Sequence, residues 1–280
     1  MLVGEALAQA MAHLQSEGVE SPQLDAELLL AHVLDVNRAA VLTWPDRRLT
    51  PKELTRYRDL VARRAAREPL AYIVGYREFY GLEFAVDSRV LIPRPETELL
   101  VEHALRLSRR LAAPLIADVG SGSGAIAVTL AVHLPRATVY ALDDSPGSLV
   151  VTAGNASVHG VADRIFCLQG DLLSPLPDVV DLITANLPYV ATSEWDELAP
   201  EIRDYEPRAS LDGGPDGLDL IRRLLATAGT HLRPGGAILL EIGASQGAAV
   251  TALARQHMPQ SDVQLHQDYA GLDRLVVVET

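Results

Sequence analysis

The sequence contains very little cysteine and no recognisable metal-ligand pattern. Its 280 residues include one cysteine, Cys167, which excludes an intramolecular disulfide framework and any site built from several cysteines. The eight histidines show no HExxH or other paired-ligand spacing, so we expect no metal site. No basic segment precedes an apolar stretch at the amino terminus, and no apolar run reaches the length of a membrane span. These absences predict a cytoplasmic location without membrane partners.

The charge is acidic overall but unevenly distributed. A formal net charge of −13 disfavours a general surface for nucleic acid or anionic lipid, and a hydrophobic content of 48% can supply a core. Residues 47–67 form an exception, with eight basic side chains against two acidic ones. The eight are Arg47, Arg48, Lys52, Arg56, Arg58, Arg63, Arg64 and Arg67. This basic stretch is either a solvated helix face or a docking surface for an acidic macromolecule.

A glycine-rich turn follows an apolar run near the middle of the chain. Residues 115–119 are typical of a strand, Gly120, Gly122 and Gly124 follow, and an Ala- and Val-rich segment then predicts a helix. A tight glycine turn before a helix brings backbone N–H groups close to a nucleotide-like ligand. The acid Asp118 precedes the turn, and the third glycine of the dinucleotide pattern is absent. These features favour S-adenosylmethionine over NAD.

Two further predicted strands end in acids. The segment at 137–144 ends in an acidic pair that includes Asp143, 23 residues after Gly120, about where a ribose-binding carboxylate is expected. We expect its two oxygens to accept both ribose hydroxyls. The segment at 164–171 ends in Asp171, which we expect to accept a hydrogen bond from the adenine amine.

The apolar segment at 179–190 stops at Asn186, Leu187, Pro188 and Tyr189, a tetrapeptide suited to holding a planar, conjugated NH2 group. The Asn186 side chain and the Leu187 main-chain carbonyl are two acceptors, and Tyr189 offers an aromatic face. Pro188 biases the preceding residue toward extended geometry, which partly presets the carbonyl direction. We predict that these four residues form the catalytic site.

The pattern changes near residue 80. Before it, apolar periodicity and a capping box at Thr50 to Glu53 predict a small helical domain over 1–78. An extended segment predicts a connecting hairpin over 79–93. Strands then alternate with helices over 94–280, which predicts a parallel α/β sheet with helices on both faces.

Several segments resemble one family along almost the full chain, the release factor glutamine methyltransferases, also called the PrmC or HemK family. IPRPETE, at the start of 92–102, and YEP…GGPDGL, within 201–225, are the most specific. SPQLDAELLLAHVL at 21–34, REPLAYIVGYREFYGLEF at 67–84 and DVGSGSGAIA at 118–127 support the resemblance.

The resemblance implies a Rossmann-like class I methyltransferase sheet with an N-terminal helical domain that docks the substrate. It implies methyl transfer from S-adenosylmethionine to the side-chain amide nitrogen of the glutamine in the GGQ motif of class 1 peptide-chain release factors. It assigns to the cofactor Gly120, Ser121, Gly122, Ser123, Gly124, Asp143, Leu172 and Asn186, and to the substrate glutamine Asn186 to Tyr189. Two positions depart from the family pattern, since Leu187 replaces a proline and Leu172 stands where an aromatic is common.

Three alternatives stay open at this point. An adenine N6-methyltransferase would also hold a conjugated NH2 group, although it must bind a phosphate backbone. A serine hydrolase is suggested by GxSxG around Ser245, with His257 and His266 as candidate bases, but too little chain follows to complete that fold. A non-catalytic adaptor would bind the cofactor without transferring a methyl group.

Overall fold

The structure, a computed structural model, describes all 280 residues, and their contacts group into two compact units. The helical unit contains residues 1–76 and 199–205. The sheet unit contains residues 77–198 and 206–280. The domain limits expected from the sequence stay predictions, and residues 199–205 contact the helical unit although they lie far along the chain.

The helical unit is built from short helices around one apolar core. Its helices are α1 (Val3–Ser16), α2 (Pro22–Leu34), α3 (Arg38–Thr43), α4 (Pro51–Ala65) and α5 (Leu70–Val74), with α9 (Pro200–Arg203) in the separate segment. Helix α4 begins at the predicted capping box, in which Thr50 N–H donates to Glu53 Oε2 at 2.7 Å and Glu53 N–H donates to Thr50 Oγ1 at 3.3 Å. Tyr57 crosses the core, and its hydroxyl donates to the Ala26 carbonyl at 3.0 Å.

The sheet unit begins with a two-stranded hairpin and continues as alternating strands and helices. The hairpin strands are β1 (Tyr76–Phe79) and β2 (Leu82–Ala85). The other strands are β3 (Leu115–Val119), β4 (Thr138–Asp143), β5 (Ile165–Gln169), β6 (Val180–Ala185), β7 (Leu232–Glu241), β8 (Asp262–Gln267) and β9 (Asp273–Glu279). The helices are α6 (Glu98–Ser108), α7 (Ala125–His133), α8 (Pro146–Val158), α10 (Asp219–Ala228) and α11 (Gly247–His257), with 3-10 turns at Pro95–Thr97, Thr192–Glu197 and Arg208–Ser210.

The seven strands β3 to β9 form one sheet in the order β5-β4-β3-β6-β7-β9-β8. All neighbouring pairs from β5 to β7 are parallel, and β9 runs antiparallel to both β7 and β8. Strand order reverses beside β3, because the chain adds β4 and β5 on one side and β6 and β7 on the other. Ligands of open α/β sheets bind at the carboxyl ends of the strands at such a reversal. The predicted α/β architecture is confirmed.

The strand register brings three predicted site residues into one row. Val119 pairs with Leu142 on β4 and with Ala185 on β6. The next residue on each strand is therefore at the same level across three neighbouring strands. These residues are Gly120, Asp143 and Asn186, which lie together at the carboxyl edge of the sheet.

Alternate residues of the strands enter two buried apolar clusters, one on each face of the sheet. Ile116 packs on the face covered by α6 and α7, whereas Ala117 packs on the face covered by α10 and α11. None of the helices combines the length and the apolar character needed to cross a bilayer.

Candidate active site

A cleft opens at the carboxyl edge of β3, β4 and β6. It is a concave surface with polar groups from the glycine turn and apolar side chains such as Leu142, Leu172 and Leu187. The predicted site residues that line it are Gly120, Gly122, Asp143, Asp171, Leu172, Asn186, Leu187 and Pro188. The other predicted residues, Ser121, Ser123, Gly124 and Tyr189, do not line the cleft. Arg89, Ser145, Ser148 and Pro207 also border the cleft and were not predicted.

The glycine turn is fixed to the neighbouring strand by its backbone. The N–H groups of Gly120 and Ser121 both donate to the Leu142 carbonyl, at 2.8 and 3.0 Å. Gly120 has a φ of +75°, and a Cβ there would lie 3.2 Å from Leu187 Cδ2. Glycine is thus favoured by the left-handed backbone, and a side chain there would also press against Leu187.

Asp143 is anchored by the turn that it faces. One of its oxygens accepts from Gly122 N–H at 2.9 Å and the other from Ser145 N–H at 2.9 Å. Burial raises the pKa of Asp143, and these two backbone hydrogen bonds oppose the rise. Each carboxylate oxygen keeps a second lone pair, so the side chain can still accept from two hydroxyl groups of a ligand.

Ser121, Ser123 and Gly124 support the turn from behind. The Ser121 hydroxyl lies 3.4 Å from the Thr152 hydroxyl, and the Ser123 carbonyl accepts from Asn155 Nδ2 at 2.8 Å. A Cβ at Gly124 would lie 3.0 Å from Thr152 Cγ2. These contacts pack the turn against α8. Cofactor contact through these three residues stays a prediction.

The far end of the cleft is bordered by Asp171 and Leu172. Strand β5 ends at Gln169, so Asp171 lies beyond the strand end, where its side chain forms an exposed ion pair with Arg223. Leu172 has a φ of +49°, a left-handed conformation that is unfavourable for a residue with a Cβ. Backbone strain of this kind is concentrated at ligand sites. The adenine contact expected of Asp171 stays a prediction.

The Asn186 side chain is held by a residue from the IPRPETE segment. Its Nδ2 donates to Thr97 Oγ1 at 3.1 Å, and Thr97 is 4% exposed. Because the amide NH2 is used in this contact, the oxygen Oδ1 is left as an acceptor. The sequence placed Thr97 in a specific motif, but nothing local indicated that it contacts a residue 89 positions away.

The backbone after Asn186 is held by the GGPDG segment. Val190 N–H donates to the Leu211 carbonyl at 2.9 Å, and Gly213 N–H donates to the Val190 carbonyl at 2.8 Å. A Cβ at Gly213 would lie 2.5 Å from the Pro188 carbonyl oxygen, closer than real contacts allow. The two segments therefore pack backbone against backbone.

A second support comes from Gln246, whose Nε2 donates to the Tyr189 carbonyl at 2.8 Å. Its Oε1 accepts from Gly243 N–H at 2.9 Å. Gly217 fills the remaining space with a φ of +74°, and a Cβ there would collide with the Tyr189 carbonyl oxygen. The carbonyl of Tyr189 is therefore already hydrogen-bonded within the protein.

The side chains of the tetrapeptide are mostly buried. Leu187 is 4% exposed and belongs to the apolar cluster below the cleft. Burial, followed by the nearby Glu241 carboxyl, raises the pKa of Tyr189 to about 12, so its hydroxyl stays protonated at neutral pH. The stacking role expected of Tyr189 stays a prediction.

The two most specific motifs meet at Glu206. Its buried carboxylate accepts from Ile92 N–H at 3.1 Å and from Arg94 at 2.5 Å. The YEP segment thereby fixes the start of IPRPETE, which carries Thr97. The sequence shows both motifs, but nothing in it indicates that they are in contact.

Comparisons with known proteins agree with these motifs. A model described as the PrmC N-terminal domain matches residues 5–75, and one described as the Methyltransferase small domain matches residues 95–202. A release factor glutamine methyltransferase of Moorella thermoacetica is 46% identical and covers 98% of this chain and 97% of its own. That of Geobacter sulfurreducens is 44% identical, with 94% and 92% covered. The chain belongs to the release factor glutamine methyltransferase family.

Solved structures of low sequence identity are similar to this chain in fold only. The Thermus thermophilus 16S rRNA N2 G1207 methyltransferase, solved with AdoMet and guanosine, superimposes with a TM-score of 0.52 at 19% identity. It covers 73% of this chain and 49% of its own. A methyltransferase of Pyrococcus furiosus gives the same TM-score at 13% identity, with 72% and 90% covered. These structures agree with the methyltransferase fold that the family model indicates for the sheet unit.

Asp118, the acid before the glycine turn, does not line the cleft of this release factor glutamine methyltransferase. It is fully buried, and one of its oxygens accepts from the Thr184 hydroxyl at 2.9 Å. Burial raises its pKa to about 7, against the hydrogen bond from Thr184. Asp118 is thus a core residue behind the glycine turn.

The GxSxG match has no hydrolase geometry. Ser245 is exposed and makes no hydrogen bond, and neither His257 nor His266 contacts it through one. The His266 ring instead packs on His103 at 4.3 Å. The useful residue of this segment is Gln246, which supports the Tyr189 carbonyl. The GxSxG segment therefore contributes to the site through Gln246 and not through Ser245.

The basic stretch divides into paired and unpaired side chains. Within the helical unit Arg47 pairs with Glu53, Arg63 with Glu68, and both Arg64 and Arg67 with Glu201. Arg64 is 7% exposed and also pairs with Asp25 at 2.7 Å. Arg48, Lys52, Arg56 and Arg58 are exposed and have no carboxylate partner. We call these four residues the free basic surface; within it Arg56 also contacts His32 Nε2 at 3.3 Å.

Proposed function

We propose that this protein methylates the side-chain amide nitrogen of the glutamine in the GGQ motif of class 1 peptide-chain release factors, with S-adenosylmethionine as methyl donor. The observation that carries the proposal is the row of Gly120, Asp143 and Asn186 at one edge of the sheet, with Asn186 Oδ1 left as an acceptor. The printed names of full-length relatives supply the substrate class.

The residues present fit the methyl donor. A Cβ at residue 120 would occupy the space between the turn and Leu187. Because Gly120 has no Cβ, the backbone there stays open to a ligand. Asp143 has free lone pairs for both ribose hydroxyls, and Leu172 and Leu142 line the cleft with apolar surface. When bound, S-adenosylmethionine supplies a methyl group activated by a positively charged sulfur.

The protein must orient a poor nucleophile. The nitrogen of a primary amide shares its lone pair with the carbonyl, the same resonance that flattens the peptide bond. We assign Asn186 Oδ1 and the Leu187 carbonyl as acceptors for the two N–H groups of the glutamine amide. Two acceptors fix the direction of the nitrogen and favour the positive charge that develops on it during attack.

The hydrogen bonds of the neighbouring backbone explain why the Leu187 carbonyl can act as an acceptor for the substrate amide. The carbonyl of Tyr189 is occupied by Gln246, and that of Val190 by Gly213. The Leu187 carbonyl accepts no such bond, so it is available to the substrate. In the product one N–C bond replaces one N–H bond, so one proton leaves the amide overall.

The free basic surface of the helical unit is the proposed docking site for the release factor. Its four side chains have no intramolecular carboxylate to compete with a partner. Charge complementarity of this kind mainly raises the association rate and sets orientation. We therefore expect the surface to affect a whole release factor more than a short peptide.

The proposal is tested by incubating the protein with labelled S-adenosylmethionine and a full-length release factor, and locating the label by mass spectrometry. We expect one methyl group on the GGQ glutamine. A release factor with Asn in place of that glutamine is the matched control and should stay unlabelled. Label on adenine in added nucleic acid, or no label at all, would contradict the proposed function.

A further inference from the structure

One basic side chain borders the cleft that we propose binds the cofactor. Among the residues that line this cleft, Asp143, Asp144 and Asp171 are acidic, and Arg89 alone is basic. Arg89 lies in the connection between β2 and α6, and the proposed reaction has not used it. Its guanidinium presents five N–H donors in one plane, so its contacts decide what it can offer a ligand.

The backbone and the side-chain stem of Arg89 lie against the start of α8. The Ser148 hydroxyl donates to the Arg89 carbonyl at 3.4 Å. A Cβ at residue 147, which is Gly147, would lie 3.4 Å from Arg89 Cδ, so the stem passes this glycine at van der Waals distance. The same turn of α8 begins at Ser145, whose N–H donates to Asp143. Arg89 is therefore beside the segment that fixes the proposed ribose-binding carboxylate.

The guanidinium is oriented by an ion pair with Asp87. Nε donates to Asp87 Oδ1 at 2.8 Å, and Nη2 donates to Oδ2 at 2.6 Å. A contact through two nitrogens fixes the plane of the guanidinium as well as its position. The third nitrogen, Nη1, has no hydrogen-bond partner in the protein. Because the side chain is 48% exposed and borders the cleft, a ligand can reach these two free N–H groups.

Ribose hydroxyls suit a donor that lies beside a carboxylate. Each hydroxyl has one proton to donate and two lone pairs that accept. If Asp143 accepts the protons of the ribose hydroxyls, the lone pairs of the same oxygens still need donors. Carboxylates cannot supply them, whereas the free nitrogen of Arg89 can.

We propose that Arg89 is a cofactor-binding residue that donates from Nη1 to a ribose hydroxyl oxygen of S-adenosylmethionine, while Asp143 accepts the hydroxyl protons. Asp87 is the positioning residue for this contact, because it holds the other two nitrogens of the guanidinium. The inference rests on the proposed function for the identity of the cofactor. It adds to the cofactor site a residue that lies outside the glycine turn and the strand ends.

The test measures ligand binding directly, without a release factor. Calorimetry compares the Kd of S-adenosylhomocysteine, the cofactor without its transferable methyl group, for the wild-type protein and Arg89→Gln. We expect Kd to rise roughly tenfold, the scale for loss of a hydrogen bond that involves a charged group. The melting temperature should stay near wild type, because an exposed ion pair contributes little to stability. An unchanged Kd would overturn the inference.

Two shorter ligands show which part of the cofactor Arg89 contacts. Methylthioadenosine keeps the ribose and adenine but lacks the carboxylate of the methionine part, and Arg89→Gln should weaken it by the same factor. A loss confined to S-adenosylhomocysteine would assign Arg89 to that carboxylate and overturn the inference. The dideoxy analogue of methylthioadenosine, which lacks both ribose hydroxyls, should bind wild type and Arg89→Gln equally. A full loss with this analogue too would place the contact on adenine and contradict the inference.

Two further variants separate the geometry of the guanidinium from its charge. Arg89→Lys keeps the charge but has a single nitrogen, which cannot pair with Asp87 at two points and also serve the ligand. It should lose nearly as much affinity as Arg89→Gln, and wild-type affinity would contradict the proposed contact. Asp87→Asn keeps Arg89 but weakens its orientation, so Kd should rise by roughly threefold. Added to Arg89→Gln, it should cause no further loss.

Arg110→Gln is the matched control. Arg110 is likewise exposed and paired with one carboxylate, Glu279 at 2.9 Å, but it does not line the cleft. This variant should keep the wild-type Kd, and a loss equal to that of Arg89→Gln would assign the effect to net charge. If the wild-type protein binds none of these ligands, the proposed function fails. If the wild-type protein and Arg89→Gln bind them equally well, only the role of Arg89 fails.

Discussion

The glycine turn at 120–124 and the loop at 186–190 border the same cleft but are held differently. The turn is fixed by contacts within the β3–β4 half of the sheet, such as Asp143 to Gly122 at 2.9 Å. The loop is fixed by residues that are distant in the sequence, including Thr97 and Gln246. The half proposed to bind the cofactor is thus built locally, whereas the half proposed to hold the reacting amide depends on the whole sheet unit.

The strongest test of this comparison is Asn186→Ala, which removes one acceptor from the reacting amide without touching the turn. By analogy with loss of a preorganised electrostatic contact, kcat should fall by about 10²-fold or more. Binding of S-adenosylmethionine, followed by calorimetry, should change much less. Near wild-type kcat in a folded protein, checked by circular dichroism, would contradict the clamp mechanism.

Asp143→Ala tests the other half. Hydrogen bonds to a charged group contribute on the order of 2 kcal/mol, so affinity for S-adenosylmethionine should fall by roughly 30-fold. The same substitution removes the acceptor for Gly122 N–H, which should loosen the turn. At saturating cofactor, kcat should recover. Calorimetry that shows unchanged affinity would remove Asp143 from the cofactor site.

This local half was the part that could be predicted from sequence. A strand, a glycine turn and an acid 23 residues later follow from composition and spacing within a short segment. The α/β sheet with helices on both faces followed for the same reason, since alternating strands and helices leave a periodic pattern, but its seven strands and the antiparallel β9 were not predicted. The interactions of Thr97, Glu206 and Gln246 could not be predicted, because they depend on which segments become neighbours in the fold.

Ion pairing in the basic stretch could not be predicted from the sequence either. Counting gave eight basic side chains, but the acids that pair with them include Asp25 and Glu201, which lie outside the stretch. Charge reversal at Arg63 or Arg64 would therefore break ion pairs, and at the buried Arg64 it would place carboxylates against each other. The number of basic residues in the sequence does not distinguish the paired Arg63 and Arg64 from the free basic surface.

Gly217→Ala sharpens the comparison, because its Cβ would collide with the Tyr189 carbonyl. The loop must shift, and kcat should fall by roughly tenfold, since small displacements of a reacting group are costly. Cofactor affinity should stay near wild type. Gly235→Ala is the matched control, because Gly235 has a similar φ of +79° but open space around it. Equal losses in both variants would assign the effect to backbone strain alone.

The smallest expected effect concerns docking. Charge reversal of Arg48, Lys52 and Arg58 to Glu leaves the ion pairs of the helical unit intact. The apparent KM for an intact release factor should rise several-fold, on the scale of a lost electrostatic contribution to association, while a short GGQ peptide is affected little. The effect should weaken at high salt. Equal losses for protein and peptide would place the defect in the sheet unit.

The position of residues 199–205 in the helical unit has a consequence for the order of folding. A chain synthesised from its amino terminus completes α1 to α5 long before residue 201 exists, so Arg67 and the buried Arg64 must wait for Glu201. Until then Arg64 has only Asp25 as a carboxylate partner. The nascent helical unit is therefore incomplete, and its final ion pairs form only after most of the sheet unit has been synthesised.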